Sequence, residues 1–191
     1  MALLPLGIWA ASGAGGAGGG TDFQLISTQL VTGSPSSVTF SSIPGTFRHL
    51  QVRMTLKDSN GGSTMDAAYF TFNGDTTAGN YALHYLDGNG SGVNTGYSNS
   101  YVNSIRSVAT TLFTSSAHSA HVMDIADYSQ TTKFKTTRIL GGAAPSIYSA
   151  QSVSLTSGLW MNTAAITSLT IGAVSGQTFV SGCRFSLYGW N

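Results

Sequence analysis

Arg48-His49-Leu50-Gln51-Val52-Arg53-Met54-Thr55-Leu56-Lys57 is the stretch whose reading decides the fold. Leu50, Val52, Met54 and Leu56 alternate with His49, Gln51, Arg53 and Thr55. A repeat of two with opposite polarity puts one set of side chains on each face of a strand, so the stretch predicts a half-buried β-strand. An amphipathic helix would space its apolar residues by three and four.

Working outward, weaker versions of the same alternation predict strands over Phe23–Val31, Ser37–Phe40, Ala67–Asn73, Tyr81–Leu86 and Ser119–Ile125. Four more are expected over Lys133–Leu140, Val153–Leu159, Ile166–Gly172 and Cys183–Gly189. Turn dipeptides punctuate them: Asn60-Gly61, Asn73-Gly74, Asp87-Gly88, Asn89-Gly90 and Ser175-Gly176. Short strands at this density predict an all-β domain over residues 21–191, a β-sandwich or jelly-roll-like fold. A helical turn is expected around Gly158-Leu159-Trp160 and Thr163-Ala164-Ala165, and no helix longer than about three turns.

Composition agrees with the pattern. Only 8% of the 191 residues are charged, and 41% are hydrophobic. Soluble domains average about a quarter charged, so this surface must be built from Ser, Thr, Asn and Gly instead. There is no Glu, and lysine occurs only at Lys57, Lys133 and Lys135. Glu and Lys usually fill exposed helical faces, whereas Thr, Val, Tyr and Phe suit pleated surfaces. A formal charge of +1 with singly scattered arginines carries no footprint for nucleic acid. The single Cys183 rules out an internal disulfide framework, and no stretch approaches the ~20 apolar residues of a membrane span.

Residues 1–20 are different in kind. Leu3, Leu4, Leu6, Ile8 and Trp9 form an apolar peptide, followed by the Gly/Ala-rich tether Ser12–Gly20. The peptide has no basic n-region and is interrupted by Pro5, unlike a secretory signal. Having no core of its own, it must fold back on its own domain or dock on another chain. It is expected to be a docking arm, with these five residues as the contacts, and to be dispensable for the fold of the sandwich.

Motifs that could carry chemistry resolve into structure. Gly13-Ala14-Gly15-Gly16-Ala17-Gly18 satisfies a dinucleotide fingerprint, but it lacks the strand before and helix after that such a site needs, and so is a linker. Asp87-Gly88-Asn89-Gly90-Ser91-Gly92 opens like a calcium loop, yet Ser98 stands where the bidentate Glu belongs, so a polar turn is expected. His118 and His121 fall on opposite faces of a strand and supply no metal site. Asp124 and Asp127 are the nearest carboxylate pair and suit a strand end better than glycoside hydrolysis. There is no Gly-x-Ser-x-Gly. No catalytic residue, cofactor or metal is therefore expected.

A resemblance runs through the same residues. Phe23-Gln24-Leu25-Ile26-Ser27-Thr28, Val38-Thr39-Phe40-Ser41-Ser42-Ile43-Pro44 and Phe47–Arg53 look like the opening of a widespread family of tailed-phage virion proteins. Phe72-Asn73-Gly74-Asp75 with Asn80-Tyr81, Asp124–Tyr128 with Thr131-Thr132-Lys133, and Gly158-Leu159-Trp160 with Thr163–Thr167 follow in the family's order, and Phe179–Gly189 resembles its closing strand. The resemblance implies a β-sandwich component of the virion, described in such families as a minor structural, fibre or decoration protein. It implies other phage virion proteins as partners and no enzymatic residues. A homo-oligomer, with a trimer as the first guess, is expected because so few charges and so few edge lysines leave little to keep subunits apart. A different class is an adhesin module in which Tyr97, Tyr101 and Tyr148 contact glycan on the host surface.

Overall fold

The computed structural model describes residues 23–98, 103–113, 116–144 and 152–191. The apolar arm, Tyr101 and Tyr148 lie outside these residues. The described residues form twelve strands: β1 (Gln24–Leu30), β2 (Ser37–Phe40), β3 (His49–Leu56), β4 (Met65–Phe72), β5 (Tyr81–Gly88), β6 (Val93–Ser98), β7 (Asn103–Ala109), β8 (Ser119–Ala126), β9 (Lys135–Ala143), β10 (Ser152–Trp160), β11 (Leu169–Ala173) and β12 (Arg184–Trp190). The helix among the described residues is a three-residue 3-10 turn, Ala78–Asn80.

The strands form two antiparallel sheets packed as a sandwich. The large sheet runs β1-β12-β3-β8-β9-β10-β5-β6, and the small one β2-β11-β4-β7. The deciding stretch is β3, whose Leu50, Val52, Met54 and Leu56 are buried as its alternation requires. They join Phe70 and Phe72 of β4, Ile171 of β11, and Phe185 and Leu187 of β12 in one core cluster. Each such side chain contributes roughly 1.5–3 kcal/mol on burial.

Two expectations are corrected. Gly158–Trp160 is no helical turn but the end of β10, with Gly158 opposite Leu83 and Trp160 opposite Tyr81. Trp160 is held extended because its ring packs 5.5 Å from Phe72 of the small sheet and 6.5 Å from Tyr81. The strands β6 and β7 were not foreseen, because Val-Asn-Thr-Gly-Tyr-Ser and Asn-Ser-Ile-Arg-Ser-Val-Ala have too few apolar residues to alternate clearly. Pairing with β5 and β4 makes them strands.

Three strand glycines follow one rule. Gly96, Gly141 and Gly172 sit directly opposite Tyr85, His121 and Tyr69. In each pair the ring lies over the glycine, and a Cβ there would overlap it. The missing side chain is the space the neighbouring ring occupies.

Candidate functional site

The blocks that carried the resemblance converge on a structural knot. Asp75 accepts hydrogen bonds from Trp160 Nε1 (2.8 Å), Asn80 Nδ2 (2.8 Å) and Thr77 N (2.9 Å). Partial burial pushes its carboxyl up, but these donors together outweigh it and hold the pKa below the usual value. Tyr81 donates to the Asp75 carbonyl (2.9 Å) and accepts from Phe72 N (3.0 Å), while burial pushes its hydroxyl up to about 12. Asn73, at φ 52°, donates to the Ala165 carbonyl and accepts from Thr167 N and Ser168 N. Every polar atom in the knot named here is occupied in joining three chain segments, which is a structural role.

The other candidates are similarly engaged. Asp87 faces inward, its carboxylate 2.6 Å from Arg106, whose guanidinium lies 3.7 Å over the Tyr85 ring. Asn89 Oδ1 accepts from Ser91 N and Gly92 N, closing the polar turn. Asp127 pairs with Lys133 and, at 3.2 Å, with Arg48, and both cations hold its carboxyl down. A carboxyl kept ionised in this way is no general acid. Asp124 accepts from Gln51 Nε2 (2.9 Å) on the outward face of the large sheet. His121 is buried, with Nε2 2.9 Å from Ser119 Oγ, and desolvation lowers it to about 4. His118 lies ahead of β8, its Nδ1 3.3 Å from the Ser116 carbonyl. Cys183 Sγ is buried, donating to the Lys57 carbonyl and accepting from the Lys57 amide. Among the described residues no group of three or more His, Cys, Asp or Glu could hold a metal ion.

What stands out is a surface. Of the twelve exposed large apolar residues among those described, ten lie on the outward face of the large sheet or stack against it. The register arranges them. Val122, Leu140, Leu155 and Leu86 are successive direct neighbours across β8, β9, β10 and β5, making a straight row perpendicular to the strands. One step along, Gly142, Val153, Gly88 and Val93 form a second row, with Val153 62% and Val93 69% exposed. Tyr97, 74% exposed, is on the same face, its ring 5.8 Å from that of His84.

The β1 end of this face differs. Phe23 stacks on Tyr188 at 4.8 Å, and Arg53 lies about equally close to both rings, at 4.9 and 5.0 Å. Between that cluster and the aliphatic rows lies an open trough of about 700 Å³, walled by Arg53, Tyr188, Leu140 and Val153 and floored by Ala120 and Gly142. Outward charges on the sheet are Arg53, Arg138 and Arg184 against Asp124.

Tyr97 is the one of the three glycan-contact candidates that falls within the described residues, and it is exposed on this face. The aliphatic rows were missed. Their signal was broken alternation: His121-Val122-Met123 and Ile139-Leu140 carry bulk on consecutive positions, so both faces of β8 and β9 are apolar. Compared with models of protein families, with curated proteins and with solved structures, the chain matches none of them.

Proposed function

We propose that the protein is a non-catalytic structural subunit of a tailed-phage virion, a surface or appendage component whose sandwich is displayed and whose N-terminal arm attaches it to the particle. The observation that supports this best is the segregation of its side chains. The carboxylate of each described aspartate accepts from a neighbouring donor, whereas the exposed apolar surface of the described residues is gathered on one sheet face. A patch of that kind marks an interaction surface rather than a reaction centre. The resemblance of residues 21–191 to phage virion proteins supplies the particle. Mass spectrometry of purified particles, with a density map, tests it: the subunit is expected in stoichiometric amounts at a defined position on head or tail. Particles lacking it would end the proposal. An enzymatic role would show as new reducing ends on incubation with host polysaccharide, and none are expected.

A second function is favoured by Tyr97. A tyrosine this exposed, beside His84 on an open β-face, offers the flat amphipathic surface on which a sugar ring stacks. A glycan array with Tyr97→Ala as the control separates an adhesin from a purely structural module.

A further inference from the structure

The outward face of the large sheet has an apolar band that no described residue covers, and the chain contains a segment that fits it. Val93, Val122, Leu140, Val153, Leu155 and Leu86 each leave 36% to 69% of their surface exposed, together on the order of 500 Å², the size at which a patch marks a docking site. A stable dimer needs about 800 Å² per partner. A second copy laid face to face would also bring together surfaces with three arginines to one aspartate, and like charges at an interface are costly. An uncharged peptide meets neither difficulty.

Residues 3–9, Leu-Leu-Pro-Leu-Gly-Ile-Trp, are such a peptide. In an extended chain Leu4, Leu6 and Ile8 share one face and span about 13 Å. The row Val122-Leu140-Leu155-Leu86 crosses three strand spacings, about 14 Å. Pro5 and Gly7 suit an extended path, and Pro5 has no amide hydrogen to leave unpaired. The connection also fits. Phe23, packed on Tyr188 on this same face, is three strands and about five residues from Val122, a separation of roughly 20 Å. The thirteen residues 10–22 have a coil dimension of about 20 Å, and a linker whose length matches the span gives the highest effective concentration.

We infer that in the free subunit the chain's own apolar segment, Leu3–Trp9, lies across the outward face of the large sheet along the row Val122-Leu140-Leu155-Leu86, extended as far as Ile8 and turning there so that Trp9 enters the trough beside Arg53. This goes beyond the proposed virion role. Capture of the arm by another protein uncovers the band, so attachment and exposure of the face are coupled.

The test uses the full chain in solution, without particles, so its outcome is independent of the virion proposal. Leu6→Cys with Leu155→Cys, oxidised at micromolar protein, is expected to form an intrachain disulfide in most molecules. Leu6→Cys with Thr39→Cys, on the small sheet, is the control and stays reduced. Equal oxidation of both pairs, or of neither, overturns the inference. An interchain link overturns it in favour of a neighbouring copy's arm. A measurement without new cysteines is the Trp9 contribution to fluorescence, taken as the difference from Trp9→Phe. Leu140→Asp with Leu155→Asp should shift it to the red, and an unchanged spectrum refutes the docking.

Discussion

The outward faces of the two sheets solve the same shortage of charge in opposite ways. On the small sheet, Thr39, Thr170 and Thr71 are direct cross-strand neighbours; Thr71 is buried, while Thr39 is exposed with its Oγ1 2.9 Å from Thr170 Oγ1. The adjoining row is Ser37, Gly172, Tyr69 and Ser104, and among the described residues no large exposed apolar side chain falls on this face. On the large sheet the corresponding positions are Val122, Leu140, Leu155 and Leu86. Hydroxyl rows keep a β-face hydrated without charge, whereas aliphatic rows leave it needing a cover. One molecule thus has a face finished for solvent and a face finished for contact.

The comparison presupposes that both faces back onto one core, and the largest expected effect tests that. Trp160 belongs to the large sheet but packs on Phe72 of the small one. Trp160→Ala should cost about 3–5 kcal/mol in urea unfolding, while a loss under about 1 kcal/mol would mean that the sheets are held together elsewhere.

Next in size is a pH effect in the interior behind the faces. His121 is neutral in the folded protein, its pKa lowered to about 4 by desolvation. The unfolded chain therefore takes up more protons between about pH 6.5 and 4, and stability is lost as pH falls through that window. Asp58 is the reverse case. Burial, partly offset by the Asn60 amide and reinforced by the nearby Asp66, raises it to about 6. The folded state then binds the extra proton, and stability falls as pH rises from about 4 to 6. Each can reach about 3 kcal/mol, and over the shared window they oppose each other. Wild-type stability should be nearly flat from pH 4 to 6. His121→Gln should expose a falling slope with rising pH and Asp58→Asn a rising one, and parallel curves for the three proteins would refute both assignments.

Smaller effects bear on the faces directly. Leu140→Thr with Leu155→Thr should change unfolding stability by less than about 1 kcal/mol, because the side chains are exposed, yet reduce binding of a hydrophobic dye. Thr39→Leu with Thr170→Leu should do the converse and raise dye binding on the small sheet. If the two exchanges act alike, the faces are not different in kind. The smallest effect is Thr39→Val alone, which removes one exposed hydroxyl pair and should cost about 0.5 kcal/mol.

Sequence by itself determined the all-β class and the backbone of the large sheet, because a two-residue period is a local property and β3 carries it without interruption. Turn chemistry at Asn73-Gly74 and Ser175-Gly176 was equally legible, and these residues do take positive φ. Only the tertiary structure decided what each strand faces. The strands β6 and β7 exist because β5 and β4 supply their hydrogen bonds, not because their residues prefer it. Gly141 reads in sequence as a breaker, and only its pairing with His121 shows it as the space for a ring. Asp87 reads in sequence as part of a polar turn, and only the tertiary structure shows its carboxylate turned inward to Arg106, nineteen residues away. The aliphatic rows are the clearest instance. Val122, Leu140, Leu155 and Leu86 come from four strands spread over 70 residues, and the register of three separate pairings, set by what the opposite faces bury, is what brings them into line.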